Sequence, residues 1–187
     1  MNLEVTIQGI WNEAKQDGWT AALRTVLRLF SLPYRGGVAV RNRLYDRGLL
    51  PQVKLPCPVI SVGNLTVGGT GKTPTVILLA NLLREKGRRP AVLSRGYGGR
   101  AGGPVSIVSD ENSILMAWGE AGDEPVLIAR AIPGVPVLTG AKRHLTGRAA
   151  VERCNANVLI LDDAFQHRQL FRDLDIGTAP FATVDTR

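Results

Sequence analysis

Apolar residues recur along this chain in two rhythms, and the change between them divides it. From Trp19 to Leu32 the apolar positions Ala21, Ala22, Leu23, Val26, Leu27, Leu29, Phe30 and Leu32 cluster at helical spacing, with Arg24 and Arg28 four apart on one flank. Pro33 and Gly36-Gly37 are expected to interrupt that stretch. A second one, Val38 to Leu50, sets Leu44, Tyr45, Leu49 and Leu50 against Arg41, Arg43 and Arg47. After Pro51-Gln52-Val53-Lys54-Leu55-Pro56 the rhythm becomes short apolar runs alternating with longer helical patterns. The runs predict strands over Val59–Val62, Ala91–Ser94, Val105–Val108, Val135–Leu138 and Val158–Leu161. Helices are predicted over Thr73–Lys86, Glu124–Ile132 and Lys142–Cys154. Such alternation predicts an α/β fold with a doubly wound, mainly parallel sheet. The expected organisation is a basic amphipathic helical segment over 1–50 and an α/β lobe over 51–187.

The first predicted strand and helix are joined by Val67-Gly68-Gly69-Thr70-Gly71-Lys72-Thr73-Pro74-Thr75. A glycine-rich turn between strand and helix lets backbone N–H groups converge on an anion, because glycine reaches positive φ without a steric penalty. The helix N-terminus adds unpaired donors and the positive end of its dipole. Lys72 is placed to reach the β- and γ-phosphates of a nucleoside triphosphate, and the Thr73 hydroxyl to bind Mg²⁺. The candidate cradle is Thr66, Val67, Gly68, Gly69, Thr70, Gly71, Lys72 and Thr73. Thr66 stands where the common spacing has glycine, and Gly68-Gly69 restores backbone freedom within the loop. The lobe therefore reads as P-loop NTPase-type, with the loop expected to follow a central strand of the sheet.

Charge adds a second clue. The 187 residues carry a net charge of +7, with 44% hydrophobic and 21% charged residues. The proportions are those of an ordinary globular chain. The excess of cations suits an acidic partner, whether phosphorylated substrate, anionic lipid or nucleic acid, or simply a solubilising surface. Basic amphipathic segments such as 19–50 lie in a lipid interface with arginines toward anionic head groups, or pack on the core and show arginine to water. No recognised nucleic-acid motif accompanies the charge, so no nucleic-acid partner is expected. Two cysteines and two histidines exclude a disulfide framework and a histidine-based zinc site, and weakly favour a reducing compartment. No run is long and apolar enough to span a bilayer. Met1 to Trp19, with Glu4, Glu13 and Asp17, does not resemble a cleaved signal peptide.

Three further clusters follow predicted strands or open helices. Val158-Leu159-Ile160-Leu161 ends in Asp162-Asp163, where a P-loop protein places its metal-holding acid, with Gln166 and His167 close behind. Gly122-Asp123-Glu124-Pro125 opens a helix, so Asp123 reads either as a helix cap or as a general base. Ser94-Arg95-Gly96-Tyr97-Gly98-Gly99-Arg100 and Ala141-Lys142-Arg143-His144 offer donors to phosphate or sugar hydroxyls, or are solvated surface. A partition-type ATPase switch would carry a lysine where Val67 stands, and a GTPase would carry Asn-Lys-x-Asp. Neither feature is present.

Together, Val59 to Pro74, Leu93-Ser94-Arg95-Gly96-Tyr97-Gly98, Gly122-Asp123-Glu124-Pro125 and Leu161-Asp162-Asp163-Ala164-Phe165-Gln166-His167-Arg168 resemble the tetraacyldisaccharide 4′-kinase family, over about Tyr34 to Ile176. The resemblance implies transfer of the ATP γ-phosphoryl group, with Mg²⁺, to the 4′-hydroxyl of a tetraacyl glucosamine disaccharide 1-phosphate. It implies peripheral association with the cytoplasmic face of the bacterial inner membrane, and it names no protein partner. By that analogy Lys72 and Thr73 hold phosphates and metal, Asp163 and Gln166 lie around Mg²⁺, and Asp123 is the base rather than a cap. Arg143 then lies near the transferred phosphate, and Tyr97 and Arg95 near the substrate. Two departures stand out. Ala164 replaces the family's usual glycine, and the family continues after Asp173-Leu174-Asp175-Ile176 into a second lobe that assists the base with a histidine. The chain is therefore expected to be an N-terminal P-loop lobe, of impaired activity by itself, with a nucleotide-binding module lacking kinase activity as the alternative.

Overall fold

The computed structural model describes residues 31, 33, 36–64, 71–96, 99, 103–165 and 167–178. Contacts divide the chain into two units, Met1–Pro51 and Gln52–Arg187. In the first, residues 36–46 are helical, Gly36 and Gly37 among them, while residues 34 and 35 of the expected interruption lie outside the described residues. Each interior glycine costs a helix only about 1 kcal/mol relative to alanine, so a pair need not end it. Gly48, at φ +67°, closes that helix by donating its N–H to the Tyr45 carbonyl at 3.0 Å. The Arg41 guanidinium lies 5.5 Å from the Tyr45 ring centre. Val40 and Leu49 are exposed. The predicted helical stretch Trp19–Leu32 lies outside the described residues, apart from helical Ser31. Among the described residues no helix is long and apolar enough to cross a membrane.

The second unit is a six-stranded sheet with helices on both faces. Numbered from its own start, it runs β1 (Val59–Asn64), α1 (Lys72–Glu85), β2 (Pro90–Ser94), β3 (Ser106–Ser109), α2 (Trp118–Ala121) and α3 (Asp123–Ala131). It continues through β4 (Val137–Thr139), α4 (Arg143–Cys154), β5 (Val158–Asp162) and β6 (Leu174–Thr178). The spatial order is β3-β4-β2-β5-β1-β6, with every neighbouring pair parallel except the edge pair β3–β4.

Strand period sorts the core onto two faces. Val62, Val92 and Ile160 point to one face with Val76 and Ala80 of α1 and Val126 and Ile128 of α3. Ala91, Leu93, Leu159 and Leu161 point to the other, beneath Ala149 and Ala150 of α4. Both β2 and β5 are buried along their whole length, which is why they read as unbroken apolar runs. Gly147 lets α4 approach this closely, since a Cβ there would sit 2.5 Å from a Leu55 methyl.

The mainly parallel α/β fold expected from the pattern is therefore what forms, with each predicted element shifted by at most two residues at either end. Three particulars differ. The strand preceding the phosphate loop, β1, is interior but next to the sheet's edge rather than central. An antiparallel strand, β3, closes the other edge. β6 and the short α2 carried no apolar run long enough to be recognised.

Candidate active site

Four neighbouring strands end at one edge of the sheet, and each delivers a polar group there. β1 leads toward α1, whose first residues are Lys72 and Thr73; β2 ends at Ser94 and Arg95; β5 ends at Asp162 and Asp163; β4 runs through Gly140 to Arg143, the first residue of α4. This is the carboxyl edge of the parallel strands, where open α/β sheets bind ligands.

Gly71 opens α1 with φ 76° and ψ 21°, a left-handed geometry that glycine adopts freely. From this start Lys72 reaches across the edge, its Nζ lying 3.0 Å from Asp163 Oδ1. The Thr73 hydroxyl donates to Glu124 Oε1 at 2.9 Å, tying the first turn of α1 to the first turn of α3. Donation leaves that hydroxyl's lone pairs free to accept a cation.

Asp162 and Asp163 are consecutive yet differ in environment. Asp163 is exposed and takes φ 51°, turning the chain out of the sheet. Asp162 is buried, its Oδ2 accepting from Ser94 Oγ at 3.4 Å and its Oδ1 without a partner among the described residues. Burial first, and the negative charge of Glu124 second, push its pKa up to about 6, against the pull of Lys72.

Arg143 is only 2% exposed, so the solvated-surface reading of its cluster does not hold for it. Its Nη1 donates to the Gly140 carbonyl, while among the described residues Nε and Nη2 have no partner. Burial lowers its pKa to about 10, with Asp162 opposing the shift, so it remains a cation at neutral pH. A buried cation with two idle donors is poised for an anion, because an unsatisfied charged group is expensive unless something fills the gap.

Asp123 is exposed at the first position of α3. Gly122 occupies the cap position with no side-chain cap bond, which corrects the capping alternative for Asp123. Of the residues singled out from sequence, Gly71, Lys72, Thr73, Arg95, Asp123, Arg143 and Asp163 all belong to this edge. Thr66, Val67, Gly68, Gly69, Thr70, Tyr97 and Gln166 lie outside the described residues. Glu124, Ser94 and the separate character of Asp162 were missed. Glu124 sits beside Asp123 at a helix start, and its meeting with Thr73 across 51 residues has no local signal.

The alanine replacing the family's glycine proves benign. The left-handed residue is Asp163, whereas Ala164 lacks positive φ and buries its methyl group in the core. Asp tolerates the left-handed region better than most side chains.

Among the described residues no three His, Cys, Asp or Glu side chains cluster as a closed metal cage. Magnesium in phosphoryl-transfer sites needs none, since one or two carboxylates and the substrate's phosphates suffice. The orphaned Asp162 Oδ1, exposed Asp163 and the Thr73 hydroxyl are hard oxygen donors that fit it.

A glycine-led helix start bearing lysine and threonine, set against acids at the end of a neighbouring parallel strand, defines a P-loop nucleotide-binding α/β protein. Residues 23–178 match the model of the tetraacyldisaccharide-1-P 4′-kinase family, and the chain belongs to that family. It is 60% identical over 176 residues to a tetraacyldisaccharide 4′-kinase of Syntrophus aciditrophicus, covering 94% of this chain and 47% of the relative. It is 47% identical over 170 residues to that of Anaeromyxobacter sp. strain K, covering 91% of this chain and 45% of the relative. The crystal structure of the Aquifex aeolicus enzyme LpxK in complex with ATP superposes with a TM-score of 0.76 at 48% identity, over 83% of this chain and 48% of that one. The chain thus spans about half the length of the relatives it matches.

Proposed function

We propose that this chain binds ATP with Mg²⁺ at the carboxyl edge of its sheet and serves the phosphorylation of the 4′-hydroxyl of tetraacyldisaccharide 1-phosphate. The observation that carries the reading is the meeting of Lys72, Thr73, Glu124 and Asp163 at the start of α1, in a chain of this family. The backbone ahead of Lys72 cradles the phosphates, and the Lys72 ammonium neutralises the β- and γ-oxygens. Asp162, Asp163, Thr73 and Gln166 would hold Mg²⁺, which when bound offsets charge on the transferring phosphoryl group. Arg143 turns its two unpartnered N–H donors to the same oxygens from a dry position, where such bonds are strongest. Asp123, exposed at the mouth, takes the proton from the 4′-hydroxyl as that oxygen bonds to the γ-phosphorus and ADP departs. Tyr97 and Arg95 border the acceptor. The basic segment 1–50 brings the site to anionic lipid at the cytoplasmic face of the inner membrane.

The test incubates the 187-residue chain with γ-labelled ATP, MgCl₂ and tetraacyldisaccharide 1-phosphate in mixed micelles, followed by chromatography of the lipid. Label in the lipid, lost in Asp123→Asn, supports the full reading. Nucleotide binding without label transfer reduces it to a nucleotide-binding half. Absence of ATP binding overturns it.

A further inference from the structure

Just beyond the acid pair the chain is held by a side chain that is not among the residues proposed to hold nucleotide or metal. Arg172 Nη1 donates to the carbonyls of Ala164 at 2.9 Å and Phe165 at 3.2 Å. The rest of its guanidinium grips Asp175 of β6, with Nε 3.0 Å from Oδ1 and Nη2 3.1 Å from Oδ2. The fork is thus spent on both sides: a carboxylate anchors it to the sheet edge, and its remaining donors close on the loop that follows Asp163. The next residue, Asp173, seats this segment on β1 by exchanging bonds with Val59, whose N–H donates to Asp173 Oδ2 at 2.8 Å. Its own N–H donates to the Val59 carbonyl at 2.8 Å.

What is held is a strained turn. Asp163 at φ 51° occupies a region that surrounding structure must impose on a residue bearing a Cβ. Three contacts impose it: the Asp163 N–H on the Val62 carbonyl at 3.0 Å, the Phe165 ring over Gly63, and Arg172 on the two carbonyls. The first two act from β1. Arg172 acts from the β6 side.

We propose that Arg172, anchored by Asp175, is a positioning residue that keeps the Asp163 carboxylate aimed at the start of α1, and so sets magnesium-assisted nucleotide affinity. This rests on the nucleotide reading above. A planar fork suits the task, because lysine cannot grip a carboxylate on one side and two carbonyls on the other.

Calorimetric titration of the chain with ATP, in MgCl₂ and in EDTA, tests it. Wild type is expected to bind more tightly with magnesium. Arg172→Lys and Arg172→Gln should reduce that magnesium-dependent gain by a factor on the order of 10 to 100, as loss of partners that orient metal ligands typically does. Their affinity in EDTA should stay within about twofold of wild type, since Gly71 and Lys72 are untouched. The charge swap R172D/D175R separates positioning from mere stability. It should recover the melting temperature lost in Arg172→Gln but not the gain, because aspartate at 172 cannot donate to the carbonyls. If Arg172→Gln fails to fold, Arg172→Lys carries the test. A wild-type gain retained by the variants, or restored by the swap, overturns the positioning role alone. A wild type with no gain overturns the nucleotide reading and this proposal with it.

Discussion

Replacing Asp162 by asparagine should change the pH dependence of stability in a direction opposite to that of most carboxylates. The side chain is 1% exposed, and its pKa stands at about 6 in the fold against 3.8 in a model peptide. Raising it from 3.8 to about 6 makes the folded state pay about 3 kcal/mol for keeping this carboxylate charged. The sign follows from which state binds protons more tightly. The folded pKa is raised, so stability from this group is fully present below 3.8 and is lost as pH rises through about 6. Asparagine carries no such titration. Wild type should therefore gain on Asp162→Asn as pH falls from 8 to about 4.5, recovering about 2 kcal/mol of the 3 over that interval. Asp110 titrates the other way, its pKa lowered by the N–H groups of Asn112 and Ser113, but it is common to both proteins and drops out of the difference. Urea unfolding followed by circular dichroism, in EDTA and at several pH values, measures the difference directly. A stability difference that stays flat across the interval, or that moves against wild type on acidification, refutes the account of Asp162 as a desolvated carboxylate.

Three other substitutions probe the same edge. Lys72→Met should weaken ATP binding by a factor on the order of 10 to 100, the range for a charge-assisted bond, while moving the melting temperature little, because the ion pair is open to solvent on the Asp163 side. Unchanged affinity by calorimetry would remove Lys72 from the site. Gly71→Ala has open space around its Cβ, so its cost is left-handed backbone strain alone, about 1 kcal/mol in urea unfolding. No loss would mean that the helix start does not hold that conformation. Gly63→Ala sets a methyl group 2.6 Å from the Phe165 ring and should destabilise by about 1–3 kcal/mol. Phe165→Ala in the same chain should relieve the clash, and a neutral Gly63→Ala would refute the packing.

The elements legible in the sequence are those whose burial is complete. Val158–Leu161 is apolar throughout because helices cover both faces of β5, so its pattern needed no knowledge of neighbours. β6 lies at the edge with Leu174, Asp175 and Gly177 exposed, and such a strand has no apolar run to betray it. The site divides along the same line. Lys72, Thr73 and Asp163 were readable because chain order alone places a loop after one strand and an acid after another. Arg143 was ambiguous because whether an arginine at a helix start faces water is decided by what packs over it, here the ends of β2, β4 and β5. Glu124 was invisible because its role comes from two helices beginning at the same edge.

Asp162 and Asp163 show why neighbours with one chemistry take different parts. Asp162 is the last residue of β5, paired across the sheet with Val62, so its carboxylate stays among buried groups. One residue later the chain turns left-handed and Asp163 swings into solvent beside Lys72. That pair is open to solvent on the Asp163 side and contributes little to stability, so each partner can exchange the other for a stronger one with small loss. In the proposed function, arriving phosphates would offer Lys72 more negative charge than a single carboxylate, and the accompanying cation would offer Asp163 more positive charge than a single ammonium. The buried pair differs. Among the described residues Asp162 keeps an unmatched acceptor and Arg143 two unmatched donor nitrogens, so in the proposed function a cation would satisfy the first and an anion the second. Under the proposed function, an edge built this way would favour the metal–nucleotide complex over either component alone, because the solvent-side pair yields its partners cheaply while the buried groups still lack theirs.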